Sequence, residues 1–379
     1  MRAMIEGYHQ AGWEVYLLAM NTKRHPVPLT DLQTAYAHIK YVEAVPIDNE
    51  IKVGSTIRNY LFSNEPNHVS RFFHNDFAQI VYDVVQTFKP DVVQLESLYL
   101  ATYLPIIKRH SKAKTILRLH NIEHQVWDRL AAETNNPLKK IYLKNLSKRI
   151  RNFEHKVWAQ FDLLLPITDD DAEAVKQEHV DVAMTVVPFA IDTELIPVSN
   201  KEALWNAYHI GAMDWLPNAQ AIKWFLDEIW PEVHKTHPEF RFYYGGRNMP
   251  QSFKNNTPEG AICVGEVTDA FEFIADKKIL IVPLRSGGGI RVKILEAMVA
   301  GKLVISTAIG MQGINVIADK HYLLANTAAE FIEKINWCLD NKQQAEAIAQ
   351  NAVQFIKDEY SYAHIMQGFI GKVEEMLKN

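Results

Sequence analysis

The segment Ile281–Thr307, IVPLRSGGGIRVKILEAMVAGKLVIST, concentrates residue types that handle anions. A strand-like run ends at Leu284. Gly287, Gly288 and Gly289 follow it, and a helical pattern opens near Ile290 and runs to about Ala300, where Gly301 ends it. Glycines let a backbone approach a ligand closely and turn successive N–H groups toward it. A helix N-terminus adds partial positive charge, which suits a phosphate. Arg285, Arg291 and Lys293 add full charges on the same stretch. Glu296, three residues after Lys293, shares its helix face. One element therefore offers amides, cations and a carboxylate to a ligand carrying a diphosphate and sugar hydroxyls. The competing reading is a glycine-rich strand-to-helix turn with solvated charges, and both stay open on these residues alone.

A second cluster lies in RLHNIEH. His120 and His124 fit H-x-x-E-H, a zinc pattern in which two histidines four apart on a helix bind metal. His120 directly follows the strand-like run TILRL, however, which places it at a strand end rather than inside a helix. His124 alone reads as a buried histidine or a partner of Glu123. Glu96 ends DVVQLE at a strand's carboxyl edge, where it could orient a hydroxyl of a ligand or cap the next helix. Thr168 followed by Asp169, Asp170 and Asp171 reads as a helix start.

The elements that must position these groups are legible as short apolar runs. They are Glu14–Met20, Ile39–Val45, Asp91–Leu95, Thr115–Leu119, Asp162–Ile167 and Thr185–Val187, then Ala207–Gly211, Phe240–Tyr244, Ala261–Gly265, Ile279–Leu284 and Leu303–Ser306. Several are apolar throughout, as strands of a parallel sheet covered on both faces are. Helical patterns lie between them at Ser70–Phe88, Asn218–His237, Arg291–Ala300 and Ala329–Leu339. This order predicts an α/β protein with parallel sheets. VVPFAIDTELIPVSN, with Pro188 and Pro197, separates two similar halves. Ligands of open α/β sheets bind beyond the strands' carboxyl ends, so a cleft between two such domains is the expected site.

Composition narrows the classes. The 379 residues, 48% hydrophobic, suffice for two full cores. Only two cysteines occur, Cys263 and Cys338, far apart, which excludes a disulfide framework and a cysteine-built zinc site and fits a reducing compartment. A net charge of −5 argues against a polycation that coats nucleic acid. No apolar run reaches membrane-spanning length, and MRAMIEGYHQ lacks the apolar stretch of a signal peptide. A cytoplasmic protein is expected. The stretch 137–158 is locally basic, with Tyr142, Leu146, Ile150, Phe153 and Val157 at helical spacing. It reads either as a surface helix with a solvated basic face or as a peripheral contact with an anionic membrane.

Taken together, the segments resemble glycosyltransferase family 4. PLRSGGGIRVKILEAMVAGKLVIST is similar to the subgroup motif GGGTRxKILEAMAxGxPVVST of its donor site. RLHNIEH resembles the loop carrying the active-site histidine, and FDLLLPITDDDAEAV, VVPFAID, HIGAMDWLPNAQAIKWFLDEIWPEV, YYGGR and VGEVTDAFEFIADKKILIVPL resemble further family segments in the same order. The resemblance implies a GT-B fold with two Rossmann-like domains. Residues 1–193 would form the acceptor-side domain and 194–358 the nucleotide-sugar domain. The amphipathic segment 359–379 would be a helix crossing back to the first. It further implies a retaining transfer from a nucleotide diphosphate sugar to a glycan or lipid-linked acceptor, in surface polysaccharide or glycoconjugate synthesis, with no cofactor required and no metal. By the same resemblance His120 touches the transferred sugar, with Glu96 and Asn121 on the acceptor side. Arg291 and Lys293 neutralise the diphosphate, Glu296 holds the ribose, and Gly265 and Val267 lie where the base packs. The remaining donor-side residues are Arg285, Gly287, Gly288, Gly289 and Ile290.

The chain departs from the family at four places. Gly288 stands where the first Glu of the family's Glu-x7-Glu signature falls. Met213 and Asp214 stand where an Arg and a Lys commonly follow the first strand of the second domain. VVPNG is replaced by VVPFA, with Phe189 and Ala190. Finally, the family opens with a strand and a glycine-rich loop, roughly 15–25 residues by ordinary element lengths, and MRAMIEGYHQAGW resembles the helix after them. Gly288 and the start of the chain support an alternative, a non-catalytic nucleotide-sugar-binding or partner subunit. A zinc hydrolase built on HNIEH is the third reading.

Overall fold

The structure, a computed structural model, describes residues 1–23, 26–50, 65–134, 136–194, 196, 203–287 and 289–378. The chain divides into two units, Met1–Pro188 with Met366–Asn379, and Phe189–Ile365.

In the first unit, strand β1 (Tyr16–Thr22) pairs in parallel with β2 (Tyr41–Ile47). Strands β3 (Val92–Leu95), β4 (Lys114–Leu119) and β5 (Leu163–Pro166) form a second parallel sheet in that order. Leu163, Leu164, Leu165 and Pro166 of β5 are all buried, as expected of an apolar strand covered on both faces. The helix Asn75–Thr87 buries Phe77, Val81 and Val85, each four residues apart on one face. The single helix expected over Ser70–Phe88 is two, Asn67–Ser70 and Asn75–Thr87. Tyr103 explains the break: its hydroxyl donates to Phe72 O and accepts from His74 N, taking up backbone groups that a continuous helix would use internally. Thr185–Val187, expected as a strand, runs beside β5 through isolated bonds, Thr185 N to Leu164 O and Val187 N to Pro166 O, and ends at Pro188. Thr168 caps the helix Asp169–Gln177, its Oγ accepting from Asp171 N at 2.9 Å, as its position before three aspartates predicts.

The second unit holds one parallel sheet. Its strands are β6 (Leu204–Ile210), β7 (Phe242–Gly245), β8 (Ala261–Gly265), β9 (Lys277–Val282), β10 (Leu303–Ser306) and β11 (Leu323–Leu324). Their order is β11-β10-β9-β6-β7-β8. The chain therefore builds outward from β6 in one direction and then from β9 in the other. One face is covered by an aromatic layer of Phe225, Trp230, Phe242 and Phe331, and the other by Leu280, Val282, Ile294, Leu295 and Met298. The pattern expected over Asn218–His237 is a helix Leu216–Trp224, a π-helical turn Phe225–Ile229 and a helix Trp230–Thr236. The helix after the glycines spans Val292–Val299.

The final helix, Tyr362–Lys378, starts within the second unit, where Ile191 N donates to Tyr360 O and Tyr362 N to Ile191 O. From Met366 onward it belongs to the first unit, where Phe369 packs edge-on against Tyr8 and Val373 is fully buried. Among the described residues, no helix is long and apolar enough to cross a membrane.

Candidate functional site

The strand order changes direction between β6 and β9, and the crevice outside the carboxyl ends of strands at such a switch is where open α/β sheets bind ligands. At this end of the sheet the backbone is bare. Gly211 N donates to Gly245 O at 3.1 Å and Gly246 N to Gly265 O at 2.8 Å. Gly246 has φ +145°, and a Cβ there would run into the backbone of Gly211. Gly246→Ala is thus expected to force β6 and β7 apart and to destabilise the protein by about 3 kcal/mol or more. A thermal melt within 2 °C of wild type would contradict this. Val267 packs over Gly245, where a Cβ would come 2.9 Å from its Cγ2.

Lys293 sits in the first turn of Val292–Val299 and reaches across to the end of β6. Its ammonium donates to Ile210 O at 2.8 Å, His209 Nε2 at 3.3 Å and Asn218 Oδ1 at 3.4 Å. Burial, with the Arg291 charge adding to it, pushes Lys293 down to about 7. Gly211 makes the arrangement feasible, because a Cβ there would lie 2.6 Å from Asn218 Nδ2 and 3.1 Å from Lys293 Nζ. Arg291 is buried, and its guanidinium lies 5.8 Å from the centre of the Trp215 ring. The same ring covers Gly287, whose φ of +105° and closeness to Trp215 leave no room for a side chain.

The structure thus brings Gly287, Arg291 and Lys293 together with Trp215 and Asn218. Gly289 is exposed, Ile290 packs on the core below, and Gly288 lies outside the described residues. Glu296 is partly buried one turn beyond Lys293, and burial raises its carboxyl above the usual range. Arg285 stands apart: it is exposed, 5.1 Å from the centre of the Trp224 ring. Gly265 ends β8. Three residues of this cluster carried no signal of their own in the sequence. His209 lies inside an apolar strand, and Trp215 and Asn218 stand out only as part of the WLPN stretch.

The first unit holds its own cluster. His120 follows β4 and Glu96 follows β3, and His120 Nε2 lies 3.3 Å from Glu96 Oε2. The Gln94 amide also donates to Glu96, and the Met1 ammonium stands 3.9 Å away. Burial alone would raise the Glu96 carboxyl, but the bond from His120 and the Arg118 charge outweigh it and hold it below its ordinary value. Capping, one of the two roles open to Glu96, falls to its neighbour: Ser97 Oγ accepts from Tyr99 N. Asn121 is partly buried beside His120.

HNIEH does not form a metal-binding helix face. The helix starts at Glu123, leaving His120 outside it. His124 is buried, with Nδ1 2.5 Å from Glu154 Oε2 and Nε2 3.7 Å from Glu178. Glu154 also accepts from the backbone N–H groups of Glu123 at 2.7 Å and His124 at 3.3 Å, so one carboxylate caps this helix and fixes the histidine. Glu154 comes from the basic helix Pro137–Trp158, which packs along Glu123–Glu133 and buries Leu143, Leu146, Ile150 and Val157. Most of the apolar stripe is therefore core. The apolar side chains it leaves in solvent are Leu138 (79% exposed) and Ile141 (63%), beside Lys139 and Lys144.

Solved structures of like shape are glycosyltransferases. Sucrose-phosphate synthase from Thermosynechococcus elongatus superposes with a TM-score of 0.67 at 13% identity, over 99% of this chain and 92% of its own. Anabaena Alr3699/HepE, solved with UDP, gives 0.65 at 14% identity, over 95% and 100%; it has also been solved with UDP-glucose. The fold is GT-B. Residues 206–341 of this GT-B chain match the family model described as Glycosyl transferases group 1. That span runs from β6 past β11 and includes His209, Trp215, Lys293 and Glu296. An uncharacterized 44.6 kDa protein in the cps region of Klebsiella pneumoniae is 26% identical over 286 residues, 72% of this chain and 71% of that protein.

Proposed function

We propose that this protein is a retaining glycosyltransferase. It moves a sugar from a nucleotide diphosphate sugar, UDP-linked by the company it keeps, to a glycan or lipid-linked acceptor in surface polysaccharide or glycoconjugate synthesis. The observation that carries this reading is the cluster at the end of β6 and β9. A bare glycine backbone, two cations and a helix N-terminus converge there, within the span that matches the group 1 family. The relative encoded in a cps region supports the polysaccharide setting.

In this reading Arg291, Lys293 and the amides around Gly287–Gly289 stabilise the charge that develops on the leaving diphosphate. No metal is required for that role. Glu296 holds the ribose hydroxyls, and the base packs near Gly265 and Val267. His120 touches the transferred sugar, with its ring oriented by Glu96, and Asn121 lies on the acceptor side. Residues 1–193 serve the acceptor and 194–358 the donor. The lysines of 137–158, with Leu138 and Ile141, offer a peripheral contact to an anionic membrane.

Calorimetric titration with a panel of nucleotide diphosphates and their sugars tests the reading. Wild-type protein should bind at least one of them, and Glu296→Ala should weaken binding about 10- to 100-fold, the worth of one or two hydrogen bonds to a carboxylate. No binding at millimolar concentration refutes the proposal, and unchanged binding by the variant refutes the role of Glu296. A second reading, binding without turnover, is favoured by Gly288 standing where the family carries Glu. Diphosphate release from the bound donor separates the two.

A further inference from the structure

His209 is fully buried in β6, and both of its ring nitrogens are engaged. Nδ1 lies 2.8 Å from Ile281 O on β9. A backbone carbonyl can only accept, so Nδ1 carries the proton. Burial, with the Lys293 charge beside it, holds the ring far below its ordinary protonation range, so the imidazole is neutral. Its Nε2 is therefore a bare lone pair, and it faces the Lys293 ammonium at 3.3 Å. The other two acceptors around that ammonium, Ile210 O and Asn218 Oδ1, are also uncharged. Asn218 is itself oriented by its Nδ2, which donates to Ala212 O at 3.0 Å.

We infer that His209 is a positioning residue for the donor diphosphate: it holds the Lys293 ammonium at the β6–β9 crevice through a tautomer fixed by Ile281. An ammonium has three N–H donors, and three neutral acceptors meet them here. A carboxylate in the place of His209 would hold the amine as well but cancel its charge. A neutral acceptor fixes the nitrogen and leaves the full positive charge for an anion. Imidazole achieves this because one nitrogen donates to β9 while the other accepts from the lysine, so the strand that precedes the glycine loop sets the direction of the lone pair. The inference rests on the donor-site reading given above.

Two measurements test it. The first needs no nucleotide: the two-bond proton–nitrogen spectrum of histidine-labelled wild-type protein should show His209 protonated at Nδ1 and bare at Nε2. The opposite tautomer, or a protonated ring at pH 7, overturns the inference whatever the protein binds. The second uses paired substitutions. His209→Gln keeps an acceptor near the Nε2 position, whereas His209→Asn keeps only a donor toward Ile281 O. His209→Asn should bind UDP about tenfold more weakly than wild type, the worth of one hydrogen bond to a charged group, and His209→Gln should recover most of the loss. Uridine, which lacks the diphosphate, should bind all three proteins within about twofold. A merely structural histidine would lower UDP and uridine affinity together, or leave both variants equal to wild type, and either result overturns the inference. If wild type binds no nucleotide diphosphate, the donor-site reading fails first, and the tautomer spectrum then judges the geometry alone.

Discussion

Replacing Lys293 with Met is expected to reduce affinity for UDP about 100-fold while leaving the protein folded, with stability within about 2 kcal/mol of wild type. The first part follows from losing one charge-assisted contact to a diphosphate, about 3 kcal/mol. The second follows from opposing terms. A lysine held at about 7 instead of 10.5 has given up roughly 5 kcal/mol to burial and to the Arg291 charge. Methionine keeps the stem and sheds that cost. Against this, Ile210 O, His209 Nε2 and Asn218 Oδ1 lose their donor, at about 1–3 kcal/mol for each group that water does not reach. The same lysine makes binding and stability respond to pH in opposite directions. Between pH 7 and about 10.5 the unfolded chain keeps this proton and the native chain has lost it, so stability rises with pH across that window. Affinity for a diphosphate falls as pH climbs through 7, because the neutral amine no longer attracts the anion. Lys293→Met should flatten both trends relative to wild type. Calorimetry and urea denaturation at pH 6, 7, 8 and 9 check this. Parallel pH trends in wild type and variant would sink the assignment.

The second large effect is expected at Glu154. Its carboxylate is almost wholly buried and accepts from Glu123 N, His124 N and His124 Nδ1. Glu154→Ala removes all three bonds, exposes the amide end of Glu123–Glu133 within the core and leaves His124 without its nearest partner. Breaking a buried, hydrogen-bonded carboxylate of this kind costs about 3–5 kcal/mol. UDP affinity should be unchanged at temperatures where the variant is folded, because the Lys293 cluster proposed to bind the donor lies in the other unit. A loss below about 1 kcal/mol in urea denaturation would show that the network is not holding the helix.

What the sequence disclosed follows physical rules that act locally. The runs TILRL, DLLLPI and ILIVPL are mostly apolar because both faces of a parallel strand are covered, and all three became strands. The stretch Leu284–Lys293 stood out because its glycines and cations are written in adjacent residues. What stayed hidden depends on partners remote in sequence. His209 and Asn218 meet Lys293 from 84 and 75 residues away. Tyr103 breaks the Ser70–Phe88 pattern from 31 residues beyond Phe72. Arg285 belongs to the same basic stretch as Arg291, yet an aromatic ring from an earlier helix holds it elsewhere. The apolar stripe of Pro137–Trp158 was readable, but only its packing partner shows most of it to be core.

The passage of the final helix into the first unit bears on how the chain is made. Gly7 has no side chain at the point where Met366 Sδ would come within 2.6 Å of a Cβ, and Tyr8 receives Phe369 against its ring. These contacts join residues translated before Phe189–Ile365 to residues translated after it. The first unit therefore waits, missing one of its packing surfaces, while the whole of Phe189–Ile365 is synthesised and can close its own sheet. The order of completion inverts the order of synthesis. The half of the molecule translated second is the first to have all of its parts, and the half translated first depends on whatever shields its apolar surface until Phe369 and Val373 arrive.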